Sequence, residues 1–139
     1  MKNIFYLLLG FVFFVSCTSS ESEDVCDSPD YSDCITAQPF EGTMNVKVTI
    51  NNENSYVPLT IYVGDMADHF IYLKDTADAS FYSVDLPVGY FYTITAHYKK
   101  GTDNIIAVDG DDVKATKSTY CDSTCWTINQ GNVNLKLKK

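Results

Sequence analysis

Apolar and polar residues alternate with a period of two along much of the chain from Gly42 to its end. The clearest run is residues 90–100 (YFYTITAHYKK), and residues 44–50, 57–63, 81–86 and 133–137 show related patterns. Successive side chains of a strand point to opposite faces, so this alternation predicts half-buried strands. About seven short strands separated by turn residues predict an all-β fold, a single antiparallel β-sandwich.

Residues 85–98 (DLPVGYFYTITAHY) resemble a segment of transthyretin-like and carboxypeptidase-regulatory-like sandwich domains. Those domains repeat a leucine-proline-x-glycine-x-tyrosine turn before a strand of alternating tyrosine and β-branched residues. The resemblance implies a transthyretin-like or immunoglobulin-like sandwich and an accessory or adhesive role. It implies no chemistry, because a fold does not fix a function.

The chain begins with a positive charge followed by an apolar run. Lys2 precedes residues 4–15 (IFYLLLGFVFFV), which are twelve consecutive apolar residues. A membrane-spanning helix needs about 20 such residues, whereas the apolar part of a secretory signal is shorter. We therefore predict that residues 1–16 are a signal peptide.

Residues 14–17 (FVSC) resemble the lipobox of bacterial lipoproteins, with phenylalanine where leucine is usual. The resemblance implies that Cys17 is lipidated, with palmitate among its acyl chains, and becomes the mature N-terminus. Residues 18–24 (TSSESED) look like the export signal of surface lipoproteins in Bacteroidetes and flavobacteria. The alternative is a solvated acidic linker, since an acidic segment without lysine stays hydrated.

These features divide the chain into a signal peptide (1–16), a lipidated cysteine with an acidic linker (17–41) and a β-sandwich domain (42–139). We expect an outer-membrane lipoprotein at the cell surface, or one that faces the periplasm if residues 18–24 are only a linker. The net charge is -8 and the sequence contains no arginine. Nucleic-acid binding depends on basic surfaces and arginine contacts, so no nucleic-acid partner is expected.

Four cysteines remain after Cys17, and an even number in an exported chain indicates two disulfides. They are Cys26, Cys34, Cys121 and Cys125. Of the three possible connectivities, the sequence favours the local one, Cys26 with Cys34 and Cys121 with Cys125, because near neighbours meet easily. Crossed pairs would close longer loops and contribute more to stability.

Three outward aromatic side chains are candidate ligand contacts. Alternation places Tyr62, Phe81 and Phe91 opposite the core-facing set, where they could stack on a glycan or dock a protein. If all three lie in one exposed patch, a binding surface is favoured, and if all are buried, a scaffold is favoured. The alternation also places His97 on the outward face of its strand.

Residues 109–112 (DGDD) follow a strand and predict a turn with three carboxylates. Asp109, Asp111 and Asp112 are weak candidates for a Ca²⁺ site, because hard cations prefer oxygen ligands. The spacing does not match an EF-hand loop, and a solvated turn is the simpler interpretation. No cofactor is otherwise expected.

Two short segments, residues 75–77 (DTA) and 122–124 (DST), look like the O-glycosylation acceptor of Bacteroidetes, with Thr76 and Ser123 as acceptors in expected turns. No catalytic constellation is found, because the two histidines belong to no ligand cluster or triad. The sequence therefore predicts a non-enzymatic, membrane-anchored structural or interaction module. The alternative is a lipoprotein that binds a glycan or Ca²⁺.

Overall fold

A computed structural model of the chain describes residues 34–120 and 123–138. The strands are β1 (Glu41–Lys47), β2 (Val57–Val63), β3 (Ile71–Ala77), β4 (Phe81–Pro87), β5 (Tyr90–Lys100), β6 (Asp103–Tyr120), β7 (Ser123–Asn129) and β8 (Gly131–Asn134). A short 3₁₀ helix, Met66–Asp68, precedes β3. The all-β sandwich predicted from the sequence is confirmed, with eight strands in place of about seven. Within the described ranges, no helix has the length and apolar character needed to cross a membrane.

Two sheets make up the sandwich. One has the strand order β4-β1-β8 and the other the order β3-β2-β5-β6-β7. All pairings are antiparallel except that between β1 and β8, which is parallel. The sandwich is therefore antiparallel, as predicted, with one parallel pair at the edge of the smaller sheet.

The core consists of the inward-facing side chains of both sheets, as the alternation predicted. Its largest fully buried members are Tyr92, Tyr98, Met44, Leu59, Ile61, Leu86, Ile94 and Leu135. The two tyrosines fit an apolar core because their hydroxyl groups are hydrogen-bonded. Tyr92 donates to the carbonyl of Pro87 at 2.8 Å, and Tyr98 donates to the carbonyl of Leu135 at 2.8 Å.

Strand β6 is much longer than its sequence pattern indicated. Its first part pairs with β5, from Asp103 opposite Lys100 to Val113 opposite Tyr90. Its second part, residues 114–120, pairs with β7. The sequence did not indicate β7, because the side chains of this edge strand are at most half-buried and lack a clear apolar alternation.

One disulfide joins Cys34 to Cys125, with a Cα–Cα distance of 5.2 Å. The local pairing favoured by the sequence is therefore wrong for both of these cysteines. Ile35 forms a bridge with Trp126, through hydrogen bonds of 3.3 and 2.8 Å, and this places the two cysteines side by side. The chain is thus attached to the sandwich upstream of the expected domain boundary at Gly42.

Candidate functional site

The five-stranded sheet has one face in the core and one face turned outward. On β5 the outward residues are Phe91, Thr93, Thr95 and His97, because Tyr92, Ile94, Ala96 and Tyr98 are buried on the other side. The neighbouring strands continue this face, with Thr60 on β2 and Val108 on β6 both opposite Thr95. His97 is exposed, as its position in the alternation predicted.

An exposed row of apolar side chains crosses this outward face, and we call it the apolar strip. It consists of Phe91, Ile106 and Val108, which are 49%, 55% and 50% exposed. Ile106 and Val108 are alternate residues of β6, and the next outward position on that strand is Gly110. The strip is therefore continuous along β6 if the ring of Phe91 covers Gly110.

The space above Gly110 is occupied by that ring. A Cβ atom built on Gly110 would lie 2.6 Å from Cζ of Phe91 and 2.9 Å from the main-chain oxygen of Tyr92. Real Cβ atoms do not approach other heavy atoms so closely, so a larger residue would displace the ring or the strand. Glycine at this position lets the ring of Phe91 lie across β6.

Beside the strip, the outward face carries buried threonines. Thr93 donates from Oγ1 to the carbonyl of Gly64 at 2.7 Å. The Oγ1 atom of Thr95 is buried and has no hydrogen-bond partner among the described residues. Such groups are uncommon in folded proteins. The threonines at the centre of the outward face are thus buried, and the apolar side chains of the strip are exposed beside them.

The three aromatic residues singled out in the sequence do not share one patch. Tyr62 is half-buried on β2 and lies on the outward face opposite Thr93, next to Phe91 along β5. Phe81 belongs to β4 in the other sheet. The Nζ atoms of Lys47 and Lys136 lie 6.0 and 5.9 Å from the centroid of its ring. The three side chains therefore neither share one exposed patch nor are all buried, so neither condition stated for them is met.

Residues 109–112 lie within β6 and do not form the expected turn. The Oδ2 atoms of Asp109 and Asp111 accept hydrogen bonds from the main-chain N–H groups of Asn134 and Asn132, at 2.7 and 2.8 Å. Asp112 pairs with Lys114. Among the described residues, no group of three or more His, Cys, Asp or Glu side chains is arranged to hold a metal ion. The carboxylates of Asp109 and Asp111 therefore connect the two sheets.

A cleft of about 520 Å³ lies at the end of the sandwich where β5 turns into β6, and we call it the end cleft. Its lining includes Glu53, Tyr56, His97, Lys99, Asn104 and Ile106. Tyr56 is 69% exposed. No pattern in the sequence predicted this site. The available signal was an isolated tyrosine between the polar run 51–55 (NNENS) and a strand.

The loop that carries Tyr56 is held by an asparagine network. The buried side chain of Asn54 donates to the carbonyl of Lys99 at 2.9 Å and accepts from its N–H at 2.7 Å. Oδ1 of Asn51 accepts from the N–H of Asn54 at 2.8 Å, and Oε1 of Glu53 accepts from the N–H of Gly101 at 3.2 Å. These bonds fix the loop against β5, so the end cleft is preformed.

A second, shallower cleft of about 390 Å³ shares Pro58 and His97 with the end cleft. It extends over the outward face to Lys74, Asp75 and Thr76 on the edge strand β3. His97 therefore stands between the two clefts.

An aspartate beside the second cleft is hydrogen-bonded to a tyrosine. Oη of Tyr82 donates to Oδ2 of Asp75 at 2.5 Å, and the N–H of Thr76 donates to Oδ1 at 2.7 Å. The bond from Tyr82, with that from Thr76, lowers the pKa of the Asp75 carboxyl. Burial, together with the Asp75 carboxylate, raises the pKa of Tyr82 well above its usual range. Asp75 stays charged and anchors β4 to β3.

The remaining predicted residues have these positions. Thr76 is exposed on β3 and Ser123 is the first residue of β7, so both expected acceptors lie in strands and the prediction of turns is wrong. Their glycosylation stays a prediction. Cys17, Cys26 and Cys121 lie outside the described residues, as does the acidic segment 18–24.

No protein family, curated protein or solved structure matches this chain. The resemblances to bacterial lipoproteins and to transthyretin-like domains therefore stay predictions that rest on residues 14–24 and 85–98.

Proposed function

We propose that this chain is a non-enzymatic lipoprotein, anchored in the outer membrane at Cys17 and exposed at the cell surface, that acts as an interaction module. The observation that carries the proposal is the apolar strip of Phe91, Ile106 and Val108, exposed on the outward face of the five-stranded sheet. Contiguous exposed apolar side chains with a polar margin mark interaction surfaces.

The strip is built on rigid elements. Strands β5 and β6 pair without interruption from Tyr90 opposite Val113 to Lys100 opposite Asp103. At one end of the strip lies the ion pair between Asp112 and Lys114, and at the other lies the exposed His97. A partner would thus meet a preformed surface with an apolar centre and a polar margin, which needs little ordering on binding.

The anchor is tested by replacing the lipidated cysteine. We expect Cys17→Ala to abolish labelling with radioactive palmitate and to release the protein from the membrane fraction. Cys26→Ala is the matched control, because it removes a nearby cysteine and leaves the lipobox intact. Protease treatment of intact cells then reports the side of the membrane. Retention of Cys17→Ala in the membrane would contradict the anchor, and protection from protease would place the domain in the periplasm.

The interaction surface is tested by site-specific photocrosslinking on living cells. We expect a photoreactive amino acid at Val108 to give a discrete crosslinked product. The same group at Asp78, an exposed residue between β3 and β4, should give none. A product of equal yield at both positions, or none at Val108, would refute the apolar strip as a contact surface.

A further inference from the structure

The end cleft combines an exposed aromatic side chain with hydrogen-bonding groups of both kinds. Tyr56 offers an aromatic face, Ile106 an apolar wall, and Asn104 an amide that both donates and accepts. The carboxylate of Glu53 accepts and the ammonium of Lys99 donates. A sugar ring presents C–H groups on its faces and hydroxyl groups at its edge, and therefore needs such a mixed site.

We propose that the end cleft binds a neutral saccharide. This second site goes beyond the apolar strip, and it rests on the proposed function only in treating the chain as an interaction module. A volume of about 520 Å³ falls in the range of small-molecule sites, about 300 to 1,000 Å³. The ring of Tyr56 stacks on the sugar, while Asn104 and His97 bind hydroxyl groups. The fixed loop lets the cleft bind without prior ordering.

The charges of the cleft favour a neutral ligand over an anionic one. Glu53 and Lys99 carry opposite charges at the same site, so they cancel. The chain as a whole has a net charge of -8, which repels anionic polymers at long range. Acidic polysaccharides are thus disfavoured.

Saturation-transfer NMR on the full mature lipoprotein tests the assignment. The protein is held in micelles of a zwitterionic detergent without a sugar headgroup, and the neutral probes are maltohexaose, cellohexaose, laminarihexaose and mannohexaose. Hexagalacturonate is the anionic comparison. We expect transfer to at least one neutral probe and none to the anionic one.

Two variants test whether the cleft is responsible. Tyr56→Ala and Asn104→Ala should each weaken binding of the neutral probe by about tenfold, the size of one aromatic contact or hydrogen bond. Tyr90→Ala is the matched control, because this tyrosine is 53% exposed at the other end of β5. Both cleft residues are exposed, so the variants should keep the wild-type melting temperature.

The proposal is overturned if no neutral probe shows transfer, if only hexagalacturonate does, or if binding survives both cleft variants unchanged. Palmitate labelling of the same preparations tests the lipid anchor separately from the saccharide site. A lipidated protein that binds no saccharide refutes the cleft assignment alone, whereas an unlipidated protein that binds refutes the anchor alone.

Discussion

The carboxylate of Asp109 on β6 accepts a hydrogen bond from the main-chain N–H of Asn134 on β8, with an oxygen–nitrogen distance of 2.7 Å. Asp111 does the same for Asn132. Strand β8 is the edge of the three-stranded sheet and pairs only with β1 within the described chain. Two side chains of the five-stranded sheet thus satisfy the main-chain donors that a further strand would otherwise bind.

We expect Asp109→Ala and Asp111→Ala each to lower the free energy of unfolding by about 1 to 3 kcal/mol, because each leaves a main-chain N–H without its acceptor. Denaturation by urea measures the change. Asp78→Ala, at an exposed position between two strands, is the control and should have little effect. Wild-type stability in both β6 variants would show that the two contacts contribute nothing.

Calcium should leave the melting temperature unchanged at millimolar concentration. Weak extracellular Ca²⁺ sites need several converging oxygen ligands, and those of Asp109 and Asp111 already accept main-chain N–H groups. Thermal unfolding with and without the ion measures this. A clear rise that Asp109→Ala abolishes would restore residues 109–112 as a cation site.

Loss of the disulfide should destabilise the domain strongly. The bond between Cys34 and Cys125 joins residues 91 positions apart, so the chain-entropy relation gives it between about 4 and 5 kcal/mol. We expect Cys34→Ser to lower the midpoint of urea unfolding, and wild-type protein under reducing conditions to do the same. Thr127→Ser on the same edge strand is the control. An unchanged midpoint in Cys34→Ser would mean that the cross-link adds no stability.

Alternation in the sequence was sufficient to predict β1, β2, β4 and β5 and their buried faces, because these strands bury one side in the core. It was insufficient for β7, whose half-buried side chains carry no such pattern, and for the second part of β6. The pairing of Cys34 with Cys125 depends on the bridge between Ile35 and Trp126, a long-range contact that spacing does not encode.

The candidate sites were predicted less well, for a related reason. Tyr62 and Phe91 were placed on the right face, since each belongs to a regular strand. The end cleft was not predicted, because it forms between the loop 53–56 and the ends of β5 and β6, which lie more than forty residues further along the chain. That Phe81 lies in the other sheet could not be predicted, because alternation gives the face of a strand and not the sheet that the strand joins.

The contact between Gly110 and Phe91 can be tested by enlarging the glycine. We expect Gly110→Ala to cost about 1 to 3 kcal/mol of stability, since the new methyl group overlaps the ring of Phe91 and the main-chain oxygen of Tyr92. A double-mutant cycle with Phe91→Ala measures the coupling. Part of the loss should be recovered in the double variant. Additive effects would show that the ring does not occupy the space above Gly110.

Three tyrosines should make the domain sensitive to alkaline pH. Burial raises the pKa of Tyr98 and, with the bonded Asp75 carboxylate, that of Tyr82. Burial, followed by the nearby Tyr72 and Tyr90, raises the pKa of Tyr92 to about 12. In the unfolded chain, tyrosine has a pKa of about 10. The unfolded state therefore loses these protons first, so their contribution to stability is complete below pH 10 and falls as the pH rises further.

For Tyr92 alone the loss amounts to roughly 2 to 3 kcal/mol near pH 12, since one pKa unit corresponds to about 1.4 kcal/mol. Urea unfolding at a series of pH values from 8 to about 11.5 measures it. Tyr92→Phe lacks the hydroxyl group that donates to Pro87, so it should be less stable at pH 8 and lose less stability above pH 10. Tyr56→Phe, at an exposed tyrosine, should follow the wild-type curve. Parallel curves for Tyr92→Phe and the wild type would show that this hydroxyl group ionises alike in the folded and unfolded states.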